Sequence, residues 1–126
     1  DLLSGWYVEP TVYVDVDPAA QLFREEVFGP LLAVTGFATE AEAIRLANDT
    51  NYGLAASVYT ENVHRAQRVA GAIRAGTVSI NGFSEGDITT PFGGYKLSGF
   101  GGRDNGLEAL QQYQQTKTIW YVNRGG

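Results

Sequence analysis

Residues 6–16 alternate aromatic, β-branched and polar side chains and are rich in Tyr, Val and Thr, a composition that favours extended backbone. Pro10 interrupts the stretch, which suits an edge or a break between two short strands, because proline cannot donate to a ladder. Asp17-Pro18 then reads as a helix start, with Asp as cap and Pro at the first helical position. Gly29-Pro30 follows soon enough to keep that helix short, and residues 31–37 predict the next strand. Thr39 and Glu42 have capping-box spacing, and Ala43, Leu46 and Ala47 give the helix after them an apolar face. Asn51-Tyr52-Gly53 turns the chain into a strand over 55–59. Thr60 is placed to cap the longest helix, where Val63, Ala66, Ala70 and Ile73 recur at helical spacing. Gly76 stands where a left-handed cap would end it.

A short apolar strand over 77–80 leads into a polar, glycine-rich stretch over 81–102. Asp104 is expected to cap a last helix through Leu107 and Leu110, and a final strand is expected over 116–122. Strands alternating with helices predict an α/β fold with a mostly parallel sheet and right-handed crossovers. The last strand stands apart. It carries unpaired backbone groups and needs a sheet in this chain, elsewhere in a longer one, or in a neighbouring subunit.

Composition narrows the chemistry. Of 126 residues, 44% are hydrophobic and 18% charged, which marks a globular sequence. The length suits one compact domain or a piece of a larger one. Because the chain opens on Asp1 and goes straight into a strand-like stretch, we expect it to come from within a longer polypeptide. A net charge of -5 argues against nucleic acid or an anionic membrane as partner. No apolar run approaches the ~20 residues of a membrane span. The sequence contains no cysteine, which removes disulfides, thiolate metal sites and a cysteine nucleophile together. With His64 as the one histidine, a metal cluster or a Ser-His-Asp triad is not expected either. The lack of disulfides fits a cytoplasmic protein. The glycines over 93–102 are no phosphate loop, since no Gly-Lys-Ser/Thr is present and no strand runs into a Gly-x-Gly-x-x-Gly turn.

Four stretches carry a resemblance: Glu25-Glu26-Val27-Phe28-Gly29-Pro30, Asn51-Tyr52-Gly53-Leu54-Ala55-Ala56, Ala75-Gly76-Thr77-Val78-Ser79-Ile80-Asn81, and Pro91-Phe92-Gly93-Gly94-Tyr95-Lys96 with Ser98-Gly99. In this order and spacing they resemble the C-terminal segment of the aldehyde dehydrogenase superfamily. Gly86-Asp87, Gly101-Gly102-Arg103-Asp104-Asn105 and Lys117-Thr118-Ile119-Trp120 look most like its aminoaldehyde branch, which includes γ-glutamyl-γ-aminobutyraldehyde and guanidinobutyraldehyde dehydrogenases. Phe100-Gly101-Gly102-Arg103 has one residue more than the Gly-x-Gly-Arg pattern common in the wider family.

The resemblance implies the distal part of a catalytic domain over 1–98, a returning loop and helix over 99–115, and an oligomerisation strand and tail over 116–126. It implies a parent enzyme that oxidises an aldehyde with NAD or NADP, the catalytic cysteine, general-base glutamate and Rossmann elements lying upstream. This chain alone is then expected to be inactive, with no catalytic residue of its own and no metal site.

Glu26 matches the glutamate that holds the nicotinamide ribose, and an ionised carboxylate has the two acceptor oxygens that a ribose diol needs. Phe28 would be the apolar wall behind it; otherwise Glu25 and Glu26 are a solvated helix end and Phe28 is core. Phe92 matches the aromatic that lines the substrate tunnel; without the resemblance it reads equally as an ordinary buried Phe next to a turn. Glu85 and Asp87 fall in the loop at the tunnel mouth, where acidic groups would attract the cationic end of an aminoaldehyde, unless they are simply solvated. Asn81 is read as structural, fixing loop backbone through its amide. Lys96 and Arg103 are read as salt-bridge partners or helix-flanking charges and assigned no chemistry, and His64 is read as surface. Residues 116–122 match the strand that joins subunits into dimers or tetramers. The competing reading is a free-standing fragment or truncated paralogue that serves as an interaction module.

Overall fold

The computed structural model describes residues 4–83, 86–123 and 125. Along the chain it forms β1 (Thr11–Tyr13), α1 (Gln21–Arg24), β2 (Leu31–Ala33), α2 (Glu40–Asn48), β3 (Ala55–Val58), α3 (Val63–Ala72), β4 (Thr77–Ile80), a 3₁₀ turn at Lys96–Ser98, and α4 (Glu108–Gln112). The α/β class and the parallel pairing are as the sequence pattern predicts. The strands form two separate parallel pairs. β1 lies beside β2 with Thr11 opposite Leu31, and β3 beside β4 with Ala55 opposite Thr77. A parallel pair needs a long crossover, and α1 and α3 supply it.

Helix ends explain most departures from the expected boundaries. Thr39 caps α2 as its spacing predicts: its Oγ1 accepts the Glu42 N–H at 3.2 Å. The Glu42 carboxylate returns to the N–H of Ala38 at 2.8 Å, one residue before the cap. Asp17 does not cap α1. Its side chain takes the Ala19 N–H in a tight turn, and α1 begins after Ala20. Thr60 yields its expected role to Asn62, whose Oδ1 accepts the Arg65 N–H at 2.9 Å. Asp104 does not cap α4; it forms an isolated antiparallel bridge with Phe92 instead.

Gly76 is required for another reason than the one expected. α3 ends at Ala72, and Gly76 is outside the left-handed region. A Cβ there would collide with the Gly93 carbonyl oxygen. The constraint is close approach of two backbones, and it seats the 93–94 segment against the start of β4.

Little of the chain is buried. Val16, Leu46, Ala66 and Ala75 are the buried hydrophobics among the described residues. The exposed area is 10573 Å², where a compact monomer of this mass would show about 6,600 Å². An apolar hollow of about 530 Å³ opens between β2 and β3, lined by Phe23, Phe37, Leu46, Val58, Val69 and Ile73 among others. It lies between the two strand pairs, where a continuous sheet would be filled. The expected last strand over 116–122 makes no ladder with this chain, and Trp120 is 81% exposed. Pairing within its own chain is therefore not what the structure shows. No helix of the described residues is long and apolar enough to cross a membrane.

Candidate functional site

Glu26 lies just past α1, where the chain leaves the helix before Gly29-Pro30. Neighbouring Glu25 accepts the Gln21 amide at 2.7 Å, so its carboxylate is engaged within the helix end. Glu26 is exposed and makes no hydrogen bond or ion pair among the described residues. Phe28 has φ 56°, a left-handed conformation that is strained for a bulky side chain. Its side chain is 91% exposed in this chain. Glu26 and Phe28 line one hollow of about 210 Å³ with Leu22, Val27 and Leu31. A free carboxylate beside an exposed ring is an arrangement able to take a diol, with the ring covering its apolar side.

Phe92 is half-buried and lines a different hollow of about 300 Å³, with Leu54, Phe100 and the backbone of Gly93 and Gly94. Two backbone hydrogen bonds, each 2.7 Å, tie the Phe92 main chain to that of Asp104. Behind it, Gly94 packs so closely on Ser98 that a Cβ would overlap the Ser98 backbone. Asp87 belongs to neither hollow. Its Oδ1 accepts the Thr89 N–H at 2.8 Å and the Thr89 hydroxyl at 2.6 Å. The Thr89 hydroxyl is the main cause that holds the Asp87 carboxyl below its ordinary value. Its charge is thus secured by its own turn, on an exposed residue. Glu85 lies outside the described residues.

Asn81 has the structural role expected, directed at a different segment. With φ 52°, it accepts the Thr60 N–H at 2.8 Å and donates to the Thr60 carbonyl at 2.9 Å. It therefore fixes the connection between β3 and α3. Gly101, in the stretch before Arg103, is exposed with φ 129°. Arg103 lies over the Tyr95 ring, 5.6 Å from its centre.

The profile of the Aldehyde dehydrogenase family matches residues 1–119. The chain belongs to the aldehyde dehydrogenase family. It is 60% identical over 117 residues to aminoacetaldehyde dehydrogenase of Pseudomonas aeruginosa, covering 93% of this chain and 24% of that protein. It is 52% identical over 113 residues to the NADP/NAD-dependent aldehyde dehydrogenase PuuC of Escherichia coli, covering 90% and 23%. The crystal structure of Staphylococcus aureus betaine aldehyde dehydrogenase in complex with NAD+ superposes with TM-score 0.86 at 44% identity, covering 99% of this chain and 26% of that one. The chain thus spans about a quarter of the length of the relatives it matches. The aminoaldehyde branch named by sequence resemblance is where these relatives fall.

Two long-range contacts help hold this aldehyde dehydrogenase segment together. Lys96, expected as a salt-bridge partner or helix-flanking charge, sends its Nζ to the carbonyls of Asn48 and Thr50 at the end of α2, 2.9 Å each. Arg24 pairs with both oxygens of Asp49 at 3.2 and 3.0 Å. Neither contact has a local sequence signal, since the partners are 25 to 48 residues apart.

Proposed function

We propose that this chain is the C-terminal portion of an NAD(P)-dependent aldehyde dehydrogenase that oxidises an aminoaldehyde to a carboxylate. Glu26 carries the reading: a carboxylate without a protein partner, beside the exposed ring of Phe28, fits the two hydroxyls of a nicotinamide ribose. NAD+ in the related Staphylococcus aureus structure supports the coenzyme class, and NADP/NAD in the name of the Escherichia coli relative keeps both coenzymes in the proposal. When bound, the nicotinamide accepts a hydride from the substrate. The residues of this chain bind and orient: Glu26 and Phe28 hold the coenzyme ribose, and Phe92 lines the aldehyde tunnel.

The thiol that attacks the aldehyde is assigned to the part of the enzyme upstream, because this sequence has no cysteine. Residues 1–98 then serve as distal catalytic domain, 99–115 as returning loop and helix, and 116–126 as oligomerisation strand and tail. Asp87 and Glu85 give the tunnel mouth its negative charge, suited to a cationic substrate end. The aminoacetaldehyde and betaine aldehyde dehydrogenases among the relatives support that substrate class. The exposed 116–122 segment suits strand addition to a second subunit, giving a dimer or tetramer. A cytoplasmic location completes the proposal.

The test is aldehyde-dependent NADH formation by the complete polypeptide that carries this sequence, compared with its Glu26→Gln variant. Activity in the parent, favouring aminoaldehydes over plain aliphatic ones, and a loss of about tenfold or more in the variant are expected. A parent silent with every aldehyde would overturn the reading. The second reading, an interaction module, rests on the exposed apolar area and the unpaired terminal segment. A cellular protein of about 13.6 kDa on a mass measurement would favour it.

A further inference from the structure

Segments far apart in sequence meet at one short turn, residues 48–50, where α2 ends. Asn48 fastens the end of α3: its Nδ2 donates to Ala72 O at 2.9 Å, and its Oδ1 accepts the Arg74 N–H at 2.7 Å. Asp49 receives the bidentate guanidinium of Arg24, the last residue of α1. Such a fork fixes direction as well as distance, because two parallel hydrogen bonds leave little rotation. Arg24 is two residues before Glu26, a chain distance of no more than about 7 Å.

The third arm is Lys96. The last carbonyls of a helix have no donors within it, and a cation there also meets the negative end of the helix dipole. The Lys96 ammonium supplies one of the missing donors, to Asn48 O, and also donates to Thr50 O just past the C-cap Asp49. It does so from φ 54°, a conformation that is unfavourable for a residue with a Cβ. Backbone bonds from Tyr95 N–H to Gly53 O at 2.8 Å and from Leu97 N–H to Asn51 O at 3.0 Å hold the same seam. The seam lies four residues from Phe92, with the tightly packed Gly93 and Gly94 between. The hydrogen bond from Arg24 is the main cause that holds the Asp49 carboxyl below its ordinary value, and the Lys96 charge adds to it.

We propose that the 48–50 turn is a positioning node, with Arg24–Asp49 setting the segment that carries Glu26 and Lys96 setting the one that carries Phe92. The inference rests on the coenzyme and aldehyde roles given to those residues under Proposed function. Neither Lys96 nor Asp49 touches a reacting atom; each acts through the segment it anchors.

The experiment uses the complete polypeptide with Lys96→Met, Lys96→Arg, Asp49→Asn and the Lys96→Met/Asp49→Asn pair. Coenzyme affinity is read by calorimetry without aldehyde, and aldehyde KM and kcat by steady-state kinetics. Asp49→Asn is expected to weaken coenzyme binding about three- to tenfold with aldehyde KM unchanged. Lys96→Met is expected to raise aldehyde KM about tenfold with coenzyme affinity unchanged, and Lys96→Arg to restore most of it. The pair should deviate from the product of the single effects. Should Lys96→Met not fold, Lys96→Gln, which keeps one donor, reads the same split. Parallel losses in both parameters, tracking a lower melting temperature, would reduce the node to a structural joint and overturn the proposal. An active parent whose variants change neither parameter overturns it as well. A parent with neither turnover nor coenzyme binding overturns this inference together with the functional reading, and the parent alone tells those cases apart.

Discussion

Asn81 shows how a single side chain can serve two elements. It closes β4 in a left-handed conformation and gives both its amide groups to the backbone of Thr60. Asparagine tolerates that conformation better than most residues, because its short amide bonds locally. Asn81→Ala removes both bonds and keeps the strained φ, a change worth about 1–2 kcal/mol. Deuterium uptake over residues 59–62 is expected to rise by about tenfold in rate, since a free-energy change of that size is about a factor of ten in an opening equilibrium. Unchanged uptake there would show that the amide bonds contribute nothing to the connection. The structural role of Asn81 was legible in the sequence because a strand ends on it. Its partner was not, since Thr60 lies 21 residues away. The same holds for Asp104: a polar residue just before an apolar run looks like a cap, and only the approach of Phe92 turns it into a bridge.

At the level of elements, the regular parts follow local pattern closely. β4 spans the expected residues, and the Thr39 cap is where its spacing puts it. Boundaries fail where two capping residues compete, as with Thr60 and Asn62, because either can accept an N–H and backbone geometry decides. Candidate site residues were legible only through motif resemblance. No periodicity distinguishes Glu26, which is free, from Glu25, which is bonded to Gln21. Glu40 also joins helices α2 and α3: it accepts from Arg68 at 3.1 and 3.0 Å and from Arg65 at 3.3 Å. The Arg68 hydrogen bond is the main cause that holds the Glu40 carboxyl below its ordinary value of 4.5. A carboxyl lowered in the folded state stabilises it fully above pH 4.5, and that contribution is lost as pH falls through the folded value. Carboxylate NMR should find Glu40 titrating below 4.5, and Arg68→Gln should move it back towards that value. A Glu40 titration indifferent to Arg68→Gln would mean the pair is not held in solution.

The whole molecule is less closed than its composition suggests. A sequence that is 44% hydrophobic leaves large apolar side chains exposed at both ends and along the sheet. The hollow between the two strand pairs is lined mostly by apolar side chains. Patterning within each element predicts which face is apolar, but it cannot tell whether the chain itself supplies the cover. That is why the strand order was legible as parallel and its division into two pairs was not. Exposed area of this size also bears on how the chain responds to urea. The slope of stability against denaturant measures the surface released on unfolding, and typical small domains give about 1–3 kcal/mol per molar. This chain has about 4,000 Å² less to release than a compact protein of its mass. Its urea transition is therefore expected to be broad, with a slope at or below the lower end of that range, and a steep transition would mean that association in solution has already covered the open faces.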